Sequence, residues 1–160
     1  MHFPFGIVPA LSMPDSSLSV LLVDDCAVQR SQTTSLLAQW GIVPLVATGG
    51  CEAISLEQTQ DFDIILMDIE MPDLDGFETT RLIREAQRLR LHPVHPPVVA
   101  YTSSKMPIAA KLMEFVGIDD VIAKPCDAGT MSRCLQRWCS DKFSPSGGTL
   151  RGLATPSPVA

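Results

Sequence analysis

The stretch Asp63-Ile64-Ile65-Leu66-Met67-Asp68-Ile69-Glu70-Met71-Pro72-Asp73-Leu74-Asp75-Gly76 decides the fold. Its apolar run is continuous rather than alternating and is bounded by acids, the pattern of a strand covered on both faces, as in a parallel sheet. Met71-Pro72 then turns the chain into a loop. Asp73 and Asp75 fit turn and helix-start positions, and Gly76 to Arg88 reads as a charged amphipathic helix. One buried strand, one loop and one helix make a βα unit, and a parallel neighbour requires another.

Four more units flank this one. Ser19 to Asp24 is again a continuous aliphatic run ending in acid, followed by a helix over 27–39 with Val28, Leu36 and Leu37 at helical spacing and Gly41 as its stop. Ile42 to Ala47 reads as a strand and Cys51 to Thr59 as a helix. After a proline-rich connection between Arg88 and Pro97, Val98 to Thr102 is a strand, and Pro107 to Val116 a helix opened by proline and closed by Gly117. Asp120 to Ala123 is a short last strand, and 127–139 a last helix carrying Met131, Leu135 and Trp138. Five such units in succession predict an α/β fold, a doubly wound five-stranded parallel sheet with helices on both faces.

In these sheets ligands bind outside the carboxyl ends of the strands. The residues found there are Asp24 and Asp25, Asp68, Thr102 and Ser103, and Lys124 with Pro125. Three carboxylates at one edge repel one another and raise each other's pKa unless a cation compensates. Mg²⁺ suits such a place, because it prefers oxygen ligands and is held by one or two carboxylates together with phosphate oxygens. A carboxylate can also attack phosphorus directly. The edge therefore fits phosphoryl chemistry, with Mg²⁺ and Lys124 each taking one oxygen of the transferred group and the Thr102 hydroxyl donating to a third.

These elements, Leu22-Val23-Asp24-Asp25, Ile65 through Gly76, Thr102 and Lys124-Pro125, occur in order and at matching spacing. The region 18–140 resembles the receiver domain of two-component response regulators. The resemblance implies that Asp68 is the phosphoacceptor, that Asp25 binds Mg²⁺ directly and Asp24 partly through water, and that the backbone carbonyl of Glu70 is a further ligand. It implies that Lys124 pairs with the phosphoryl group, aimed inward by a cis bond to Pro125, that Thr102 is a switch hydroxyl, and that Ser103 leaves room for the phosphoryl group. The donor would be a histidine kinase or a histidine phosphotransfer protein, and the output would pass through contacts with an unidentified protein. One departure stands out. Many receivers carry an aromatic residue three positions before the lysine, and here that position is Val121. Tyr101, next to Thr102, is a poor substitute because adjacent strand residues face opposite ways.

Plainer readings compete residue by residue. Asp24 alone is a good helix cap, Lys124 alone an ordinary solvated lysine, and His92 and His95 exposed loop residues. A pseudo-receiver, a constitutive binding module that cycles no phosphate, would keep the fold. A haloacid-dehalogenase-like phosphatase also uses a strand-terminal aspartate with Mg²⁺, but it wants a second aspartate where Glu70 stands, so a signalling module rather than an enzyme is expected.

The bulk composition agrees. The chain has 46% hydrophobic and 19% charged residues, as a folded domain should. Its net charge of -6 disfavours direct nucleic-acid binding. Cys26, Cys51, Cys126, Cys134 and Cys139 form no metal-site spacing and fit structural thiols in a reducing cytoplasm. Segments 1–17 and 141–160, rich in Pro, Ser and Gly, read as flexible tails around a stand-alone domain, with Met13 an alternative start to Met1. The first of these lacks the basic start and unbroken apolar stretch of a signal peptide, and no apolar run is long enough to span a bilayer.

Overall fold

The computed structural model describes residues 18–90, 95–105 and 107–145. Strands and helices alternate: β1 (Val20–Val23), α1 (Ala27–Ala38), β2 (Leu45–Ala47), α2 (Gly50–Thr59), β3 (Ile64–Met67), α3 (Gly76–Arg90), β4 (Val98–Thr102), α4 (Ala110–Val116), β5 (Asp120–Ala123) and α5 (Ala128–Trp138). The strands form one sheet in the order β2-β1-β3-β4-β5, all parallel. The winding reverses between β1 and β3, which places a crevice above their carboxyl ends. The doubly wound five-stranded sheet expected from the sequence is the one observed.

Every residue of β1, β3 and β4 is buried, which explains why their apolar runs do not alternate. Side chains nonetheless divide between the two faces. Val20, Leu22, Ile64, Leu66, Val99 and Tyr101 pack with Leu37 of α1 and Met131 and Leu135 of α5. Leu21, Val23, Ile65, Met67, Val98 and Ala100 pack with Ala53, Ile83 and Val116 of α2, α3 and α4. Each fully buried aliphatic side chain is worth roughly 1.5–3 kcal/mol, so the three central strands anchor both layers.

Several boundaries differ from the sequence reading for identifiable reasons. Strand β2 starts at Leu45 rather than Ile42, because Pro44 has no N–H for the ladder and Gly41, at φ 71°, turns the chain after α1. Helix α4 starts at Ala110, three residues after Pro107, and closes as expected at Gly117, whose left-handed φ of 88° lets its N–H reach the Met113 carbonyl. Val28, expected on the inner face of α1, is 65% exposed. Nine residues at about 100° each put it half a turn away from Leu37, and the buried stripe runs instead through Thr33 and Leu37. Past α5 the chain keeps packing, with Phe143 buried edge-on against Trp40 and Lys142 paired to Asp63. The packed unit therefore extends to Phe143, beyond the edge at 140. The expected tail over 1–17, the part 146–160 of the expected tail over 141–160, and His92 lie outside the described residues. Among the described residues no helix is long and apolar enough to cross a membrane.

The turn from β3 into α3 is tightly built. Asp73 takes φ 68°, and Asp75 accepts the Glu78 N–H at 2.8 Å, capping the helix as its position suggested. Gly76 lies so close to the strand end that a Cβ there would sit 2.1 Å from the Asp68 carbonyl oxygen. Gly76→Ala should therefore force the helix start and the Asp68 backbone apart and cost about 1–3 kcal/mol. Urea unfolding is the check; an unchanged midpoint would mean that the contact relaxes without cost.

Candidate functional site

The ladder itself delivers the functional groups to one edge. Asp24 N–H donates to the Ala47 carbonyl, Asp68 N–H to Val23 and Lys124 N–H to Thr102, so these residues continue the β1–β2, β1–β3 and β4–β5 pairings one step past the strands. Their side chains rise from a fixed frame. Asp24, Asp68 and Thr102 are buried, while Asp25 is exposed. Carboxylate oxygens of Asp24, Asp25 and Asp68 all lie within 4.8 Å of one another, the arrangement the strand ends foreshadowed. Such an all-oxygen, triply acidic set fits a hard divalent cation.

Lys124 supplies the compensating positive charge inside the protein. Its Nζ pairs with Asp24 Oδ2, stands 3.4 Å from Asp68 Oδ2 and donates to Gln29 Oε1 at 3.1 Å. Only 5% of its side chain is exposed, so the reading of Lys124 as a solvated lysine does not hold. The Lys124–Pro125 bond is cis. Asp24 is not the cap of α1 either: Cys26 holds that position without a side-chain hydrogen bond, and Asp24 Oδ1 accepts the Cys26 N–H at 2.8 Å.

Burial is the largest influence on Asp68 and raises its pKa. The Lys124 charge opposes that shift, the Asp24 charge adds to it, and hydrogen bonds from Lys124 and the Glu70 N–H oppose it. The Glu70 N–H lies 3.3 Å from Asp68 Oδ1, and the Glu70 side chain is exposed. Thr102 Oγ1 accepts the Ser104 N–H at 3.2 Å. Ser103 and His95 are exposed, and Asp73 and Asp75 serve the turn and the cap rather than the acidic cluster.

Three neighbours escaped the sequence reading. Gln29 touches Lys124 from α1, and the Tyr101 ring lies beneath the Lys124 ammonium, 5.0 Å from centroid to Nζ. Thr33, also on α1, stands 3.5 Å from the Tyr101 hydroxyl. No motif marks a glutamine or threonine inside a helix, and Tyr101 faces away from Thr102 as expected while still meeting the lysine on the other side. Val121 is 38% exposed at the outer strand and packs no ring against Thr102. The cysteines are all free thiols, but only Cys134 and Cys139 are buried, and Cys51 is exposed.

A family model described as the response regulator receiver domain matches residues 20–136. The chain is 34% identical over 119 residues to the CAI-1 autoinducer sensor kinase/phosphatase CqsS of Vibrio cholerae, covering 74% of this chain and 17% of that protein. It is 31% identical over 126 residues to the transcription factor SKN7 of Saccharomyces cerevisiae, covering 78% and 19%. The chain thus spans less than a fifth of the length of these curated relatives. Among solved structures, the receiver domain of the sensor histidine kinase PA1611 of Pseudomonas aeruginosa, with a magnesium ion coordinated in its active site cleft, superposes with a TM-score of 0.66 at 30% identity, over 76% of this chain and 97% of that one. Chemotaxis protein CheY4 of Vibrio cholerae gives 0.67 at 28%, over 76% and 98%. The receiver of the Saccharomyces cerevisiae response regulator Ssk1, solved with the phosphotransfer protein Ypd1, gives 0.69 at 23%, over 81% and 94%, a likeness of fold.

The raised pKa of Asp68 carries a sign for stability. Its neutral form is favoured by folding, so the favourable contribution is present below the unfolded carboxyl pKa and is lost as pH rises through the folded value. At neutral pH the ionised group opposes folding. Metal-free Asp68→Asn should therefore melt a few degrees above the parent at pH 7, with the difference vanishing near about pH 3. Calorimetry across that range showing a lower melting point for the variant at pH 7 would reverse the sign of the argument.

Proposed function

This chain belongs to the response regulator receiver family of two-component and phosphorelay signalling, and on that premise we propose that Asp68 is its phosphoacceptor. One observation carries the assignment: a buried carboxylate at the end of the central strand β3 lies within 4.8 Å of two further carboxylates and 3.4 Å from a buried ammonium. An Asp68 oxygen attacks the phosphorus of a phosphohistidine. The phosphorus–nitrogen bond breaks, its electron pair leaves on the imidazole, which takes up a proton, and an acyl phosphate forms on Asp68. The carboxylate attacks already ionised, so no general base is required. Lys124 pairs with one phosphoryl oxygen, and the Thr102 hydroxyl turns from its local contact to donate to another.

The donor set fits Mg²⁺, which Asp24, Asp25, Asp68 and the backbone carbonyl of Glu70 would hold and which, when bound, neutralises charge on the carboxylates and phosphoryl oxygens. The magnesium ion in the PA1611 receiver supports that reading. The phosphoryl donor is a histidine kinase or a histidine phosphotransfer protein, in keeping with the Ssk1 receiver's complex with Ypd1 and the sensor kinases among the relatives. The domain acts as a signalling module within 18–140, carried on to Phe143 by packing, rather than as an enzyme with a separate substrate. Its output runs through protein contacts, since a net charge of -6 repels nucleic acid. The free thiols fit the reducing cytoplasm. With Val121 at the aromatic position, the switch relies on Thr102, whose hydrogen bond to a charged acceptor is worth about 1.5–3 kcal/mol, enough for at least a tenfold population shift.

Incubation with acetyl phosphate and Mg²⁺ should add one phosphoryl group, and peptide mass spectrometry should find it on Asp68. Asp68→Asn should take none while keeping its far-UV spectrum; stoichiometric labelling of that variant refutes the assignment. Asp25→Asn should weaken Mg²⁺ binding at least about tenfold in calorimetric titration. On adding beryllofluoride with Mg²⁺, backbone NMR shifts should concentrate around Thr102, Ser103 and Lys124 and stay small at Val121. A Thr102→Ala protein that responds as fully as the parent would remove Thr102 from the switch.

A further inference from the structure

An ammonium group has three N–H donors and no acceptor, so where it points depends on what surrounds it. Around Lys124 the surroundings are chemically unequal. Two are charged, Asp24 and Asp68, and both belong to the acidic cluster. The other two are neutral. Gln29 Oε1 accepts at 3.1 Å, and the Tyr101 ring presents its face at 5.0 Å, inside the roughly 6 Å range of cation–π attraction.

Resting on the roles assigned to Asp68 and Lys124 above, we propose that Gln29 and Tyr101 are positioning residues, two neutral walls that hold the Lys124 ammonium over the acceptor. Both walls meet the same turn of α1, from which Gln29 projects and against which Tyr101 rests. Thr33 Oγ1 donates to the backbone carbonyl of Gln29 at 3.0 Å and lies 3.5 Å from the Tyr101 hydroxyl, and Cys126 Sγ lies 3.6 Å from that hydroxyl. Burial pushes the Tyr101 phenol up to about 12, so it stays neutral and adds no charge beside the carboxylates.

Neutrality is the point of the arrangement. When Asp68 gains a phosphoryl group, Lys124 must turn from carboxylate oxygens to a phosphoryl oxygen. A fourth carboxylate at position 29 would compete for the ammonium and deepen the repulsion within the cluster. An amide oxygen and an aromatic face hold the lysine near the acceptor without competing in charge. Displacing a catalytic group by about 1 Å can cost up to about a hundredfold in rate, so loss of either wall should slow phosphoryl transfer without touching the residues that bind Mg²⁺.

The test uses the full chain and compares the parent with Gln29→Met, Gln29→Glu, Tyr101→Leu, Tyr101→Phe and Lys124→Ala. Initial rates of Asp68 phosphorylation by acetyl phosphate are followed by intact mass over a range of donor and Mg²⁺ concentrations. Gln29→Met and Tyr101→Leu should lower the saturated rate at least about fivefold and leave the half-saturating Mg²⁺ concentration within about twofold. Gln29→Glu should lower the rate further, whereas Tyr101→Phe, which keeps the ring, should retain most of it. In a Lys124→Ala background, Gln29→Met should have no further effect, because the two act through one group. Parental rates in both Gln29→Met and Tyr101→Leu, or an equal loss from Gln29→Met with and without Lys124, would overturn the proposal. Gln29 sits on the partly exposed side of α1, so that variant stays informative if Tyr101→Leu fails to fold. A second readout needs no donor: the Lys124 ammonium signal in ¹⁵N NMR should broaden by faster exchange in Gln29→Met, and an unchanged signal would overturn the cradle even if the parent accepts no phosphoryl group. That last failure, absent labelling of the parent with a held ammonium, would count against the phosphoacceptor assignment alone.

Discussion

The contact of Lys124 with Asp24 and Asp68 is the constraint on which the rest of the site depends. Carboxylate oxygens of Asp24, Asp25 and Asp68 gather within 4.8 Å, and Asp24 and Asp68 are buried. Charges so placed oppose folding unless something offsets them. A nearly buried ammonium does so in part, and the exposed position of Asp25 leaves the third carboxylate to solvent. What remains uncompensated appears in Asp68, whose pKa is raised by burial first and by Asp24 further down the order. The three carboxylates together form an all-oxygen set of the kind that fits a hard divalent cation.

The charges sit together because the strands beneath them are buried and paired. Strands β1, β3 and β4 are buried throughout, and their hydrogen-bond ladder runs one residue further to Asp24, Asp68 and Lys124. Packing in both layers holds the strands, and the strands hold the charges. Gly76 adds a local lock, since the start of α3 rests directly on the Asp68 carbonyl. A distant second network holds the other end of α3: Arg84 binds the Gly117 and Pro96 carbonyls and Asp119, and Gln87 and Arg90 bind the buried Glu57 of α2. Both ends of the helix that follows β3 are thus tied to neighbouring elements.

The two sides of strand β4 have different chemistry. Thr102, at the end of the strand, carries a hydroxyl that accepts the Ser104 N–H, while Tyr101, one residue earlier, turns its ring beneath Lys124 and meets Thr33 of α1 and Cys126 through its hydroxyl. With Val121 small and partly exposed, the aromatic mass near the site lies on the α1 side of the sheet rather than at the outer strand.

The sequence by itself determined the order of elements and the roster of charged groups. The unbroken aliphatic runs of β1 and β3, each ending in acid, read as strands covered on both faces, five strands alternating with helices wind in parallel, and the acids then share one edge. Asp24, Asp25, Asp68, Thr102 and Lys124 were legible for that reason. Helix phase was less so. Val28 looked internal because it is apolar, yet the half-turn between it and Leu37 exposes it, and polar Thr33 takes the inner stripe. Phe143 looked like the start of a tail because nothing local marks its partner, Trp40, about a hundred residues earlier. Gln29 and Tyr101 belong to the same class: each is unremarkable in its own segment, and each meets Lys124 only after α1, β4 and the end of β5 have been packed together. Periodicity and spacing report what a residue does within its own element, whereas contacts across elements depend on angles and distances set by the packed core, and those only the tertiary structure decided.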